Sequence, residues 1–92
     1  SDNLFNKGLA YLLNKDYTNA ISAFNDAISA DDSNAKAYYG IAVASARQNN
    51  QEQAIDNLSK AIENDPSLKE RAATDLEFAN FSGSAEFAEV LR

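Results

Sequence analysis

Apolar residues recur along this chain at steps of three and four, and short polar breaks separate the stripes. Leu4, Gly8, Tyr11 and Leu12 form the first stripe, which Asn14-Lys15-Asp16 interrupts. Ala20, Ile21, Phe24, Ala27 and Ile28 form the second, before Asp31-Asp32-Ser33-Asn34. Tyr38, Ile41, Ala42 and Ser45 continue to the Asn49-Asn50 break, and Ala54, Ile55, Leu58, Ala61 and Ile62 make the fourth. That spacing puts each set on one face of an α-helix. It predicts helices at roughly 2–14, 17–30, 34–48, 51–64 and 66–75. Asp16 is placed to cap the second helix, and Asp31 to Asn34 offer several capping oxygens to the third. Asn50 and Gln53 could form a capping box. Pro66 stops the fourth helix and sits near the first turn of the fifth, where its missing N–H costs least.

Beyond residue 75 the pattern changes. Asp75-Leu76-Glu77-Phe78-Ala79-Asn80-Phe81 is rich in apolar residues without a clean stripe, and Ser82-Gly83-Ser84 is a turn signal. Ala85 to Leu91 reads as a short last helix with Phe87, Val90 and Leu91 facing inward.

The stripes also repeat. Residues 1–34 laid over 35–68 give seven identities: Ala10/Ala44, Ala20/Ala54, Ile21/Ile55, Ala27/Ala61, Ile28/Ile62, Asp31/Asp65 and Ser33/Ser67. Five of these pairs are apolar and fall at helical spacing, so they mark a buried seam rather than shared solvent-facing composition. A 34-residue period indicates a helix–turn–helix solenoid unit. Small residues at Gly8, Ala20, Ala27, Ala42, Ala54 and Ala61 would let helix axes approach closely, with Phe24, Tyr38 and Leu58 filling the gaps. Core packing is the expectation for all of them.

At these residues the chain resembles the tetratricopeptide repeat (TPR) family. The first repeat supplies Leu4, Gly8, Tyr11, Ala20, Phe24 and Ala27, and the second supplies Tyr38, Ile41, Ala42, Ala54, Leu58, Ala61 and Pro66. Lys7 stands where Leu is usual, Ser45 where Tyr is usual and Asp32 where Pro is usual. The resemblance implies an all-α fold: an antiparallel helix–turn–helix solenoid, a right-handed superhelix of five to six helices. It suggests a single TPR-like domain over 1–92, with repeat one at 1–34, repeat two at 35–68, and a partial third repeat with a capping segment at 69–92. The ending is similar to the closing segment of many bacterial TPR proteins, with Leu76, Phe78, Phe81 and Phe87 as candidates for a lid over the last repeat. A solenoid needs such a cover because its final unit otherwise leaves an apolar face open. No Met occurs, even at position 1, so the chain is expected to be a processed product or part of something longer.

Composition narrows the chemistry. The chain has no Cys and no His among its 92 residues, which removes disulfides, thiolate sites and the commonest general base and metal ligand. Gly8, Gly40 and Gly83 are isolated, so no glycine-rich phosphate loop exists. Asp31 to Asn34 lack the alternating acids, turn glycine and distal Glu of a calcium loop. No catalytic, cofactor-binding or metal-binding residue is expected, and the chain reads as a non-enzyme. Its formal charge of −6 is spread along the length, leaving no basic stripe for nucleic acid. Apolar runs such as Ile41 to Ala44 are far short of the ~20 residues that span a bilayer. A soluble protein without membrane insertion is expected, cytoplasmic or of the periplasm and cell envelope, with no signal segment in this chain.

Binding is the better class. In the TPR family the first helix of each repeat lines a concave groove through positions 2, 5, 9, 12 and 13. The resemblance then implies Asp2, Phe5, Leu9, Leu12 and Leu13 from the first repeat and Lys36, Tyr39, Val43, Ala46 and Arg47 from the second, with Glu70 and Ala73 from the third. Phe5, Leu9, Tyr39 and Val43 form an apolar cluster on a face expected to be exposed, and such patches tend to mark partner surfaces. Lys36 and Arg47 flank them as basic groups. The alternative at these positions is packing under a neighbouring segment or under the cap. The family's carboxylate clamp for acidic chaperone tails does not fit, because Phe5, Leu9, Gly40, Glu70 and Thr74 occupy its five places. The reading is a protein-interaction scaffold that takes a peptide or helix of a protein partner in an apolar groove. The alternative is a structural segment that stacks on further repeats or self-associates as a homo-oligomer, without a ligand of its own.

Overall fold

A computed structural model of the chain describes residues 2–92, apart from the side chains of Asp2 and Phe81. Helix α1 (Asp2–Leu13) turns back into α2 (Tyr17–Ala30), and α3 (Ala35–Arg47) turns back into α4 (Gln51–Asn64). A shorter α5 (Leu68–Thr74), a 3-10 segment (Leu76–Phe81) and α6 (Ala85–Val90) follow. The described residues form an all-α hairpin solenoid with six helices and no strand. None of these helices is long and apolar enough to cross a membrane.

The 34-residue period holds down to individual hydrogen bonds. Lys15 and Asn49, 34 positions apart, both take left-handed backbone angles, with φ of 62° and 60°. The N–H after each closes its turn: Asp16 donates to the Tyr11 carbonyl and Asn50 to the Ser45 carbonyl, both at 2.9 Å. A side chain in that region costs ~1–2 kcal/mol, so the packing of the two helices must hold the turn. The links between hairpins match as well. Asp31 accepts from the Ser33 N–H and hydroxyl at 3.1 and 2.7 Å, and Asp65 accepts from Ser67 at 3.1 and 2.6 Å. The Asp31 carboxyl is held below its ordinary value by these Ser33 bonds.

Caps fall where expected, with two differences. Asp16 accepts from the Asn19 N–H and Asn34 from the Ala37 N–H. Asn50 accepts from the Gln53 N–H at 3.2 Å, but Gln53 answers the Asn50 side-chain amide at 2.9 Å rather than its backbone. The fifth helix begins at Leu68 rather than 66, because Pro66 and Ser67 belong to the turn that Asp65 closes.

The core is organised around one ring. Phe24 is 0% exposed and lies between α1 and α3. A Cβ on Gly8 would come within 2.6 Å of its ring, and so would a Cβ on Gly40. Two glycines on neighbouring helices therefore form the slot that accepts it. Phe5 leans on the same ring, with centroids 5.7 Å apart. Ala20, Ala27, Ala42, Ala54, Ala61 and Leu58 are fully buried, as their small-residue spacing implied. Tyr38 is half-buried and packs against this core. Residues Tyr39 to Ala46 of α3 form an unbroken buried run, since α3 is packed by α1, α2, α4 and the 3-10 segment.

The C-terminal segment folds back onto the second hairpin. The 3-10 segment packs on α3 and α6 packs on α4. Phe78 and Phe87 are buried, and their rings stand 6.0 Å apart. Val90 and Leu91 are half-buried against the same core. The Lys69 ammonium donates to the Arg92 carbonyl at 2.6 Å, tying the chain end to α5. Leu76 corrects the expected lid: it is 86% exposed, because Asp75 and Glu77 on either side are turned toward α3 and leave it outward. Phe81, also expected in the lid, lies outside the described side chains.

Two stability measurements test this core. Phe24→Ala should cost ~3–5 kcal/mol by emptying the slot. Gly40→Ala should also destabilise, by ~1–3 kcal/mol, since overpacking against a ring that cannot move exceeds the ~1 kcal/mol gained in helix propensity. Chemical denaturation showing Gly40→Ala more stable than the parent would refute the slot. Ser45 is the second case: it is fully buried in α3 and its hydroxyl has no partner among the described residues. Ser45→Ala should raise stability by ~1 kcal/mol, read as a higher denaturant midpoint at unchanged slope.

Candidate partner-binding groove

Residues of three helices, α1, α3 and α5, converge on one face. Phe5 and Leu9 come from α1, and Lys36, Tyr39, Val43 and Arg47 from α3. All six line a single depression of about 430 Å³. Leu12, Gly40, Leu68, Arg71, Asp75 and Glu77 complete its wall. The side chains arrive there because steps of three and four keep them on one helix face, and the hairpin period sets the two faces side by side.

Their exposure differs. Phe5 and Leu9 are half-buried and Lys36 is exposed. Tyr39 and Val43 are 6% and 7% exposed, so both are buried in the packing, and Tyr39 lies under residues 75–78. Leu12 and Ala46 are buried as well, whereas Leu13, Glu70 and Ala73 are exposed. Asp2 lies outside the described side chains.

The 3-10 segment makes the difference at α3. The Tyr39 hydroxyl donates to Asp75 at 2.6 Å, and Asp75 also accepts from the Glu77 N–H at 3.0 Å. Phe78 meets the Tyr39 ring edge-on, with centroids 5.6 Å apart. The Arg71 guanidinium lies 5.0 Å from the centroid of that ring. Burial, and then the Asp75 hydrogen bond and its charge, push the Tyr39 hydroxyl well above the usual tyrosine range, while Arg71 works in the opposite direction. Arg47 donates through Nε and a terminal nitrogen to Glu77, at 2.9 and 2.6 Å. This bidentate pair, rather than burial, dominates at Arg47 and raises its affinity for its proton. Both side chains of the pair remain about a third exposed.

Arg71, Asp75 and Glu77 were not among the residues singled out from the sequence. Asp75 and Glu77 meet partners 36 and 30 positions away, and no helical period reports such a contact. The signal was the alternation of acidic and apolar residues in Asp75-Leu76-Glu77-Phe78, directly after the last helix of the groove.

The tetratricopeptide repeat family model matches residues 5–69, well over half of the chain. The chain belongs to that family. Its repeats are in general protein–protein interaction modules. No curated protein and no solved structure matches the chain. The family match ends at the start of α5, so the segment that covers Tyr39 lies beyond it.

The Tyr39–Asp75 bond carries a pH prediction. A tyrosine whose folded value is raised contributes stability that is present below its ordinary value of 10.0 and is lost as pH rises above that. Tyr39→Phe should lower stability by ~1 kcal/mol at neutral pH and flatten the decline above pH 10. Denaturant midpoints of parent and variant falling in parallel above pH 10 would remove the bond from the account.

Proposed function

We propose that this chain is a protein-interaction scaffold that takes an apolar peptide or helix with an acidic flank in the groove between α1, α3 and α5. The observation that carries the reading is the convergence of Phe5, Leu9, Lys36, Tyr39, Val43 and Arg47 on one concave wall. Phe5 and Leu9 offer the apolar contact, with Tyr39 and Val43 as floor beneath it. Lys36 and Arg71 have no carboxylate partner among the described residues, and both line the groove. In a chain of net charge −6 these cations would favour an acidic flank, acting on orientation and on-rate more than on final affinity. The groove is one part of a unit read as two repeats, a partial third and a cap.

The structural alternative draws on Leu13 and Leu76, which are 84% and 86% exposed and could meet in self-association. Stacking of a further repeat on α1 is less well supported. Ala37, Ile41 and Ala44 of α3 are buried, whereas their counterparts 34 positions earlier, Asn3, Lys7 and Ala10, are exposed and two of them polar.

Leu9→Glu should reduce capture of a protein partner at least tenfold, about 1.4 kcal/mol, with a small change in the melt. Lys36→Glu should act mainly at low salt. Pull-downs with the immobilised full chain measure both, and sedimentation of Leu13→Glu and Leu76→Glu measures association. Unchanged capture by Leu9→Glu and Lys36→Glu, together with an oligomer that Leu13→Glu dissociates, would favour the alternative.

A further inference from the structure

The 34-residue period gives α1 and α3 the same three places, and the contacts of the C-terminal segment fall on those of α3. On α3 the places are held by Tyr39, Val43 and Arg47, spaced four apart. Each end of that row is answered by the segment after α5. Phe78 stands edge-on to the Tyr39 ring at 5.6 Å, Asp75 takes the Tyr39 hydroxyl, and Glu77 takes Arg47 by two hydrogen bonds. Thirty-four residues earlier the same places on α1 are held by Phe5, Leu9 and Leu13. There Phe5 and Leu9 line the groove half-buried against the core, and Leu13, one turn beyond that lining, is 84% exposed. The polar handles have gone too, since Phe5 has no hydroxyl and Leu13 stands in place of the guanidinium.

Resting on the groove reading above, we infer that Asp75-Leu76-Glu77-Phe78 shows, within this chain, the chemistry of what the open half of the groove receives. The occupant of α1 is a segment of a partner protein that sets an aromatic side chain against Phe5 and Leu9, as Phe78 sits against Tyr39. Over Leu13 it places an aliphatic side chain where the chain's own segment places Glu77. A carboxylate at that point would give up water and meet no donor, whereas an aliphatic group would cover exposed apolar surface. The partner segment thereby continues along α1 the cover that residues 75–78 already provide on α3.

Two fluorescein-labelled probes test this against the full chain by fluorescence anisotropy. One has the sequence of residues 75–81, Asp-Leu-Glu-Phe-Ala-Asn-Phe, and the other carries Leu in place of its Glu. The parent should bind the Leu probe about tenfold more tightly than the Glu probe. Leu13→Arg recreates at α1 the chemistry of Arg47 and, at so exposed a position, should leave the melt unchanged. It should reverse the preference toward the Glu probe, and the reversal should weaken as salt is raised. Loss of both probes on Leu9→Asp places them on α1 rather than in exchange for the chain's own segment on α3. A preference that Leu13→Arg leaves unaltered, with Leu9→Asp still abolishing binding, overturns this inference while the groove reading stands. Binding of neither probe also overturns it, and the groove reading then answers to its own capture experiment.

Discussion

Phe24 held between Gly8 and Gly40 is the contact on which the rest of the structure depends. An aromatic ring at zero exposure, with two Cα atoms where side chains would otherwise stand, fixes how closely α1 and α3 approach α2. That approach sets the angle between the first helices of the two hairpins, and the groove is the space that angle leaves. A core of alanines could tolerate several helix registers, because alanine surfaces are smooth and nearly featureless. A single large ring in a slot built for it admits few. The hairpins can therefore be short and polar outside while their mutual placement stays well defined.

The second constraint is the cover over α3. With α3 buried along Tyr39 to Ala46, its concave side would meet water through Tyr39 and Val43 if nothing lay over it. The chain meets that need with a tight 3-10 segment anchored by two carboxylates and one aromatic ring. Asp75 ends α5, takes the Tyr39 hydroxyl and orients the next residue through the Glu77 N–H. One side chain thus performs a helix-ending, a packing and an aligning role. The result is an asymmetric face, buried at Tyr39 and Val43 on α3 and less covered at Phe5 and Leu9 on α1.

Much of this was legible before any coordinates. The helices lie within two residues of the stripes that predicted them, because side-chain periodicity in a half-buried helix is a local property. The turns at Lys15 and Asn49, and the links at Asp31 and Asp65, sit where polar breaks interrupted those stripes. Phe5, Leu9, Lys36, Tyr39, Val43 and Arg47 were expected on one face only through the family resemblance, and they do line one depression. Gly40 was not legible in this way. Its counterpart in the first repeat is Asn6, so the repeat pattern carried no hint that it would face a ring.

The sequence by itself determined the helices, their pairing into hairpins and the face that turns inward, all of which follow from spacing between near neighbours along the chain. Tertiary structure alone decided which residues along the shared face are covered and which stay exposed. Tyr39 and Phe5 hold the same place in the period, yet one lies under a segment that begins 36 residues later and the other faces the open groove. That difference depends on where an irregular stretch folds back. Its path is set by a few long-range contacts: a hydroxyl to a carboxylate, a guanidinium to a carboxylate, and one ring against another. Such contacts leave no period in the sequence, because they join residues brought near each other only once the helices have packed.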